Sequence, residues 1–290
     1  MNNAIDLIIP SRESDVGGFA VRRTLPNAKR RMVGPFTFFD HMGPAQVPPG
    51  GDLDIGPHPH IGLATVTFLF EGDVVHRDSL GSVQKIEAGD INWMTAGRGI
   101  VHSERADPDR RRRGGPLHGL QLWVALPKAH EEIEPSFDHY PRSAMPTMHQ
   151  GGVDLTVLAG EIADVRSPVR TLSDLFYGHA RFAPGGSMAL SPDLGERAVY
   201  VVEGSVEIDG QPVKEGTMAV LTDGAPATIA TTEPARAMVL GGAPLEGPRH
   251  IWWNFVSSSK ARIKQAKSDW IEGSFPAVPG DDDIIPLPNG

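Results

Sequence analysis

Residues 56–72 read Gly-Pro-His-Pro-His-Ile-Gly-Leu-Ala-Thr-Val-Thr-Phe-Leu-Phe-Glu-Gly. The second half of this stretch is rich in β-branched and aromatic residues and ends at a Glu–Gly pair, which is the pattern of a strand followed by a turn. His58 and His60 are two residues apart, and in extended chain such side chains project from the same face. The stretch therefore predicts a strand that presents two imidazoles side by side.

The same order of elements occurs again later in the chain. A second strand pattern, residues 198–202, also ends at a Glu–Gly pair, and a turn containing Glu and Gly follows each strand, at residues 85–90 and 212–217. Repetition in one order indicates an internal duplication. Many short strands separated by regular turns are typical of barrels and sandwiches. We therefore expect an all-β protein of two tandem β-barrels.

The predicted domains are an N-terminal barrel over residues 1–140, a linker over 141–152 and a C-terminal barrel over 153–290. Helix-forming residues are concentrated at Ser257–Trp270, with serines available as N-caps and a glycine just beyond the end. The chain after this helix is rich in proline interleaved with apolar residues. It is expected to be an extended tail that lies on a domain.

The composition excludes several classes of protein. The 290 residues include 27 basic and 36 acidic side chains, a net charge of −9, and no cysteine. Disulfides, cysteine-zinc sites and thiol nucleophiles are therefore excluded, and the negative charge disfavours direct binding to nucleic acid. No apolar run approaches the length of a membrane-spanning helix, and no export signal is visible. We expect a cytoplasmic protein with no membrane association.

A second pair of metal-binding side chains follows the first. His102-Ser103-Glu104 repeats the strand spacing of His58 and His60, with an imidazole and a carboxylate. A single histidine in a strand is more often a hydrogen-bonded core or surface residue than a ligand. Two such pairs separated by a hairpin, however, predict that three nitrogens and one oxygen converge on a first-row divalent metal, with two positions left for water or substrate.

These stretches resemble a known family. Residues 56–72 look like the first metal motif of the pirin family, a branch of the cupins, and residues 89–104, which contain Thr-Ala-Gly-Arg-Gly-Ile-Val-His-Ser-Glu, resemble its second motif. Residues 118–124 resemble the strand that follows. Residues 34–41 and 278–282 are also similar to bacterial pirins, so the resemblance extends over nearly the whole chain.

The resemblance implies two cupin barrels with one Fe(II) in the N-terminal barrel, held by His58, His60, His102 and Glu104. Several pirins oxidise quercetin with dioxygen, so the resemblance implies a metal-dependent dioxygenase that acts on a small aromatic substrate and O2. Glu104 is then the expected general base for the substrate hydroxyl. The same ligands also accept Mn, Co, Ni, Cu or Zn, so the metal stays open.

The chain departs from the family pattern in two places. Ala64 stands where cupins usually have a glutamate, which changes the surroundings of the ligands rather than the ligand set. In the second half, aligning the repeated turns places four non-ligand residues opposite the metal ligands. We therefore predict a metal-free C-terminal barrel; the four residues are Leu190, Pro192, Ile229 and Thr231.

Two other functions stay open. The chain could be a metal- or redox-dependent regulator that acts through a protein partner without catalysis, as the resemblance to the pirin family also implies, because a fold does not determine a function. A sugar isomerase or epimerase of the cupin type is a weaker alternative. A self-contained double barrel slightly favours a monomer.

The remaining candidates receive structural interpretations. His41 and His76 could line the mouth of a pocket, although a histidine in a turn is usually solvated. His118 opens a strand and is expected to be hydrogen-bonded rather than a fifth ligand. The basic run Arg110–Arg113 could contact nucleic acid, but a flexible, solvated loop is the preferred interpretation.

Overall fold

The computed structural model describes residues 3–16, 18–51 and 54–288. Most of the described chain is β-structure, which confirms the predicted all-β class. The strands of the first half are β1 (Ile5–Pro10), β2 (Arg12–Val16), β3 (Phe19–Leu25), β4 (Phe36–Val47), β5 (Ile55–His60), β6 (Leu63–Glu71), β7 (Asp73–Asp78), β8 (Val83–Glu87), β9 (Ile91–Thr95), β10 (Ile100–Arg105), β11 (Gly115–Ala125) and β12 (Ser136–Tyr140).

The second half adds thirteen described strands: β13 (Thr147–Gln150), β14 (Val153–Ile162), β15 (Val165–Arg166), β16 (Leu175–Phe182), β17 (Ser187–Leu190), β18 (Glu196–Glu203), β19 (Ser205–Ile208), β20 (Gln211–Lys214), β21 (Thr217–Leu221), β22 (Ala227–Ala230), β23 (Ala235–Gly242), β24 (His250–Trp252) and β25 (Phe255–Ser257). The described α-helices are α1 (Pro108–Arg113) and α2 (Lys260–Ile271), and 3₁₀ turns occur at Lys128–His130, Arg142–Ala144 and Pro192–Leu194. Neither α-helix has the length and apolarity needed to span a membrane.

The described chain divides into two compact units. Unit A comprises the described residues of Ser14–Val21, Asp40–Arg142 and Glu246–Gly290, and unit B comprises those of Met1–Glu13, Arg22–Phe39 and Ser143–Leu245. This division differs from the predicted domains at both ends of the chain. At the start, β1 pairs antiparallel with β21 inside unit B. At the end, the residues after 246 pack within unit A.

Unit A contains two antiparallel sheets. The smaller sheet has the order β5-β10-β7-β8, and the larger has the order β12-β9-β6-β11-β4-β3-β2, of which β2, β3 and β4 lie in unit A only in part. β6 is buried along nearly its whole length, as expected of the apolar, β-branched run that predicted it. A glycine at position 72, at φ +88°, closes the predicted turn, where a Cβ atom would lie 2.4 Å from the Pro116 carbonyl oxygen.

Unit B is also built from antiparallel strands. Its larger sheet has the order β1-β21-β18-β23-β16-β14-β13, with β15 paired to β14, and its smaller sheet has the order β17-β22-β19-β20. Aliphatic side chains fill its core, including Val157, Val199 and Val239, none of which is exposed. Closely packed β-branched residues of this kind are what the strand patterns of the second half predicted.

The C-terminal helix and tail lie in unit A. α2 begins three residues after the predicted start, and the Ser259 side chain caps it by accepting a hydrogen bond from the amide of Arg262. The tail has no regular structure, and the Ile285 amide donates to the Pro57 carbonyl. Arg105 forms ion pairs with Asp281 in the tail. The tail therefore contacts residues next to both predicted metal-binding pairs.

The basic run does not form the predicted solvated loop. It forms α1, whose first turn is capped by the side chain of Asp107. Arg110 is buried and donates hydrogen bonds to the carbonyl oxygens of Asp73 and Pro116. The prediction was wrong at this residue because buried backbone carbonyls need donors, and the guanidinium supplies several.

A buried ion pair joins the C-terminal part of unit A to the turn after β11. Arg249 Nε lies 2.9 Å from Glu131 Oε1, and both side chains are almost fully buried. Removing one member of such a pair leaves an uncompensated charge. We expect Arg249→Leu to lower the free energy of unfolding by about 3–5 kcal/mol, measured by urea denaturation.

The neighbouring pair provides a matched control for this prediction. Arg262 Nε lies 3.0 Å from Glu132 Oε1, but the Glu132 side chain is about half exposed. Exposed pairs contribute about 0–1 kcal/mol, so Arg262→Leu should have a much smaller effect. Equal decreases in the free energy of unfolding of the two variants would contradict the larger effect expected for the buried pair.

Candidate metal centre

The smaller sheet of unit A brings three of the predicted ligands together. In the pairing of β5 with β10, His58 lies directly opposite His102, while His60 lies opposite Ile100. Because alternate residues share a face, the three imidazoles project from the same face of the sheet. Their candidate ligand atoms all lie within 4.8 Å of one another, and all three side chains are buried.

Two of the three imidazoles form a hydrogen bond from Nδ1 to a backbone carbonyl. His58 Nδ1 lies 2.8 Å from the Gly56 carbonyl oxygen, and His60 Nδ1 lies 3.1 Å from the Asn254 carbonyl oxygen. A carbonyl only accepts, so both Nδ1 atoms carry the proton and both Nε2 atoms keep a lone pair. His102 Nε2 is buried and has no hydrogen-bond partner among the residues that the structure describes.

Burial keeps these imidazoles neutral. Loss of solvent lowers the pKa of His58 to about 4, although the bond to Gly56 acts in the opposite direction. The pKa values of His60 and His102 are also lowered well below the usual value, first by burial and then by the neighbouring histidines. A neutral imidazole is the form that binds a metal, so the cluster is ready to bind one at neutral pH.

The same shift predicts how the metal-free protein responds to acid. Between pH 6.5 and about 4, His58 is protonated in the unfolded chain but not in the folded chain. The stabilising contribution of the neutral imidazole is therefore fully present above pH 6.5 and decreases as the pH falls towards 4. The expected contribution of His58 is about 3 kcal/mol. Urea denaturation of the metal-free protein at several pH values measures it.

A pair of variants isolates this contribution from those of other histidines. His58→Gln should reduce the loss of stability on acidification, whereas His149→Gln, which removes an exposed imidazole paired with Asp154 in β13 and β14, should change the loss by no more than about 1 kcal/mol. An unchanged pH dependence in His58→Gln would show that burial of this imidazole does not determine it.

Glu104 lies outside the group of three histidines. In the pairing of β10 with β7, Glu104 lies opposite His76. Its Oε1 atom accepts a hydrogen bond from the hydroxyl of Thr67 at 3.3 Å. That hydroxyl also lies 2.8 Å from Oε1 of Gln121. Burial raises the pKa of the Glu104 carboxyl, while His76 and Thr67 act in the opposite direction. The carboxylate is therefore not a member of the cluster, although Glu104 is two residues from His102 on β10.

The donor set fits a divalent transition metal. Three buried, neutral imidazoles with available lone pairs, one of them on an otherwise unpartnered nitrogen, are typical of sites for Fe, Ni, Cu or Zn. Among the described residues this is the one group of three or more such side chains. The cluster is therefore suited to hold a divalent metal, and the donor set does not select iron from the others.

The sequence interpretation missed a second layer of the site. His76 was expected to be solvated, but it lies on β7 and is buried, with Nε2 3.0 Å from Oδ2 of Asp78 and its ring stacked on Phe137 at 4.2 Å. The signal was present, because His76 and Asp78 have the same two-residue spacing as the ligand pairs. His41 and His118, by contrast, contact each other, with 2.8 Å between their Nε2 atoms.

Residues distant in sequence complete the surroundings of His60. Phe255 forms a bridge with Ile61, and the carbonyl that holds His60 belongs to the turn just before β25. Gly62 permits this approach, because a Cβ atom there would lie 2.0 Å from the Val256 carbonyl oxygen and φ is +67°. No sequence motif linked this segment to the site.

Ala64, which stands where cupins usually have a glutamate, does not face Glu104. Ala64 is buried on β6, three residues from Thr67, so the two side chains lie on opposite faces of the strand. Because Thr67 is the residue that contacts Glu104, position 64 faces away from that carboxylate. Thr65, one residue further on, shares the face of Thr67.

Strand pairing corrects the alignment used for the second half. In unit B, Met188 lies opposite Ile229, as His58 lies opposite His102 in unit A, and Leu190 lies opposite Ala227. By this pairing Met188, not Leu190, corresponds to His58. The turn-based alignment was wrong by two residues because the connections after β5 and β17 differ in length.

Comparisons with known proteins agree with this architecture. A family model described as Pirin matches residues 18–124, and a second, described as Pirin C-terminal cupin domain, matches residues 177–276. These matches confirm the expected fold of two cupin domains.

Individual proteins match over nearly the whole chain. A pirin-like protein of Caulobacter vibrioides is 49% identical over 98% of this chain and 99% of its own length. Pirin of Homo sapiens is 32% identical, with coverage of 92% and 91%. A crystal structure of quercetin 2,3-dioxygenase from Acinetobacter baumannii has a TM-score of 0.91 at 33% identity, covering 98% of this chain and 95% of the other.

Proposed function

The chain belongs to the pirin family, and on that premise we propose that it is an iron-dependent dioxygenase that acts on quercetin or a related flavonol. The observation that carries the proposal is the cluster of His58, His60 and His102, three buried imidazoles whose candidate ligand atoms all lie within 4.8 Å of one another. The similarity to a quercetin 2,3-dioxygenase supports the substrate class.

In this proposal the three histidines hold one Fe(II) per chain, and Glu104 is the fourth ligand. Bound there, iron would supply a Lewis acid for the enol oxygen of the flavonol and a redox centre for dioxygen. The hydrogen bonds from Nδ1 of His58 and His60 to backbone carbonyls fix the orientation of these two imidazoles. Burial of all three histidines excludes water from them.

Glu104 has a second proposed role, as the general base that takes the proton from the substrate hydroxyl. A carboxyl group whose pKa is raised by burial holds an abstracted proton better than an exposed one does. In this role Glu104 would be released from the metal, and its position outside the group of three histidines supports a weaker attachment than theirs. The hydroxyl of Thr67 would orient it.

Oxygen consumption tests the activity. The protein loaded anaerobically with Fe(II) should consume oxygen when quercetin is added, and the metal-free protein should not. An iron-loaded protein that consumes no oxygen with quercetin or any other flavonol would contradict the enzymatic function. Among the described residues, no contact or surface favours the regulatory alternative over catalysis.

A further inference from the structure

A buried chain of side chains extends from His102 away from the histidine cluster. His102 Nδ1 lies 3.4 Å from His76 Nδ1, and His76 Nε2 lies 3.0 Å from Oδ2 of Asp78. The register between β10 and β7 produces this arrangement, because His102 is opposite Asp78 and Glu104 is opposite His76. All three members of the chain are at most 3% exposed.

The hydrogen bonds of Asp78 determine the direction of this chain. Its Oδ1 atom accepts from the backbone amides of Leu80 and Ser82, which leaves Oδ2 to accept from His76. When His76 donates from Nε2 to Asp78 and keeps a lone pair on Nδ1, that lone pair can only accept. In this arrangement His102 Nδ1, which lies 3.4 Å away, is the donor and carries the proton of His102.

The position of that proton matters for metal binding. With the proton on Nδ1, the buried and unpartnered Nε2 atom of His102 has its lone pair free, as in His58 and His60. With the proton on Nε2, the same atom could not bind a metal. A backbone carbonyl fixes the tautomer of the other two histidines, whereas His102 depends on side chains.

Packing holds the middle member of the chain in place. The His76 ring stacks on Phe137, with ring centroids 4.2 Å apart and planes inclined by 11°. Metal-binding histidines commonly donate their second nitrogen to a carboxylate or carbonyl, which sets the tautomer and makes the ligand more basic. Here a second imidazole is interposed between the ligand and the carboxylate.

We propose that Asp78 and His76 are positioning residues that form a hydrogen-bonded relay and fix His102 in the tautomer with a free Nε2 atom. The inference rests on the proposed metal site and names which residues outside the ligand set control it. The relay makes one ligand of the cluster sensitive to a carboxylate two side chains away.

Asp78→Asn tests the relay with almost no change in shape. The amide oxygen can keep the bonds from Leu80 and Ser82, but the amide nitrogen then donates to His76 Nε2. His76 must carry its proton on Nδ1, and His102 must move its own to Nε2. We expect the affinity for Ni(II) or Co(II), measured by calorimetry, to fall about 10- to 100-fold.

Nuclear magnetic resonance provides a readout that does not depend on activity. In the metal-free wild type, ¹⁵N spectra should show His102 protonated on Nδ1, and in Asp78→Asn they should show it protonated on Nε2. Asp90→Asn is the control for loss of a buried carboxylate, because it removes the charge of a buried aspartate and one of its two bonds from the amides of Glu87 and Arg142. This control should change neither the affinity nor the tautomer.

His76→Phe tests the relay independently, in case Asp78→Asn does not fold. His76→Phe keeps a ring to stack on Phe137 but removes the acceptor for His102, so metal affinity should fall here as well. Unchanged affinity in both variants, or His102 protonated on Nε2 in the wild type, would overturn the relay. A wild-type chain that binds no divalent metal contradicts the proposed metal site instead, and the tautomer of His102 still decides the relay.

Discussion

Alanine at position 58 should leave the protein without its metal and without oxygen consumption. Loss of His58 removes one of three imidazoles from the group, and the two that remain cannot enclose an ion in the same way. Changes outside the ligand set cost about 10- to 100-fold in metal affinity, so loss of a ligand should cost at least as much. Metal per chain after dialysis and oxygen uptake with quercetin measure the effect.

Folding of the variant must be separated from metal loss. His58 pairs through its strand with His102, but its side chain contributes no backbone hydrogen bond to that pairing. We therefore expect His58→Ala to keep the circular dichroism of the metal-free wild type. His149→Ala, at an exposed position, is the matched control and should retain both metal and activity. Full metal content in the folded His58 variant would refute the assignment.

Glutamine at position 104 should reduce turnover by about 10²- to 10⁴-fold, the usual contribution of a positioned acid or base. The amide keeps an oxygen towards Thr67, so the local hydrogen bonding survives while the ability to take up a proton is lost. The effect should appear in kcat more than in KM, because the substrate still binds. Steady-state oxygen uptake at several quercetin concentrations measures both constants.

The metal content of the Glu104→Gln variant separates the two proposed roles. If the carboxylate acts as a base and binds metal only weakly, iron per chain stays close to that of the wild type while kcat falls. A parallel loss of iron identifies it chiefly as a ligand. Glu134→Gln, which changes an exposed glutamate paired with Arg98, should affect neither quantity. Full turnover in Glu104→Gln would remove this residue as the base.

The sequence contained enough information to predict the strands and the histidine group. Two-residue spacing puts His58 and His60 on one face whatever the details of the fold, because side chains alternate along any strand. Pairing with the strand that carries His102 then needs only the antiparallel register observed between β5 and β10. This part of the site depends on local periodicity, which a sequence shows directly.

Other features depend on contacts between distant segments and could not be predicted in this way. The irregular pairing of β5 with β10, which places Ile55 rather than Gly56 opposite Glu104, is one such feature. The burial of His76 beside His102 depends on the pairing of β7 with β10, which no periodic pattern of the sequence predicted. A periodic pattern specifies a face of a strand but not which strand lies beside it.

The ends of the chain illustrate the same limit. The segment after residue 246 has the composition of a terminal helix and tail, and its position in the sequence suggested the second barrel. In the structure it packs within unit A, where Asn254 supplies the carbonyl that orients His60 and Asp281 pairs with Arg105. Contacts of this kind join residues more than 170 positions apart, and no local signal encodes them.

Anomalous diffraction at the iron edge, from crystals of the protein loaded with Fe(II) under anaerobic conditions, locates the metal. We expect one strong peak in each chain, bordered by the Nε2 atoms of His58, His60 and His102. An iron-loaded crystal with no peak between these three imidazoles, or with its iron bound elsewhere, would contradict the proposed iron site.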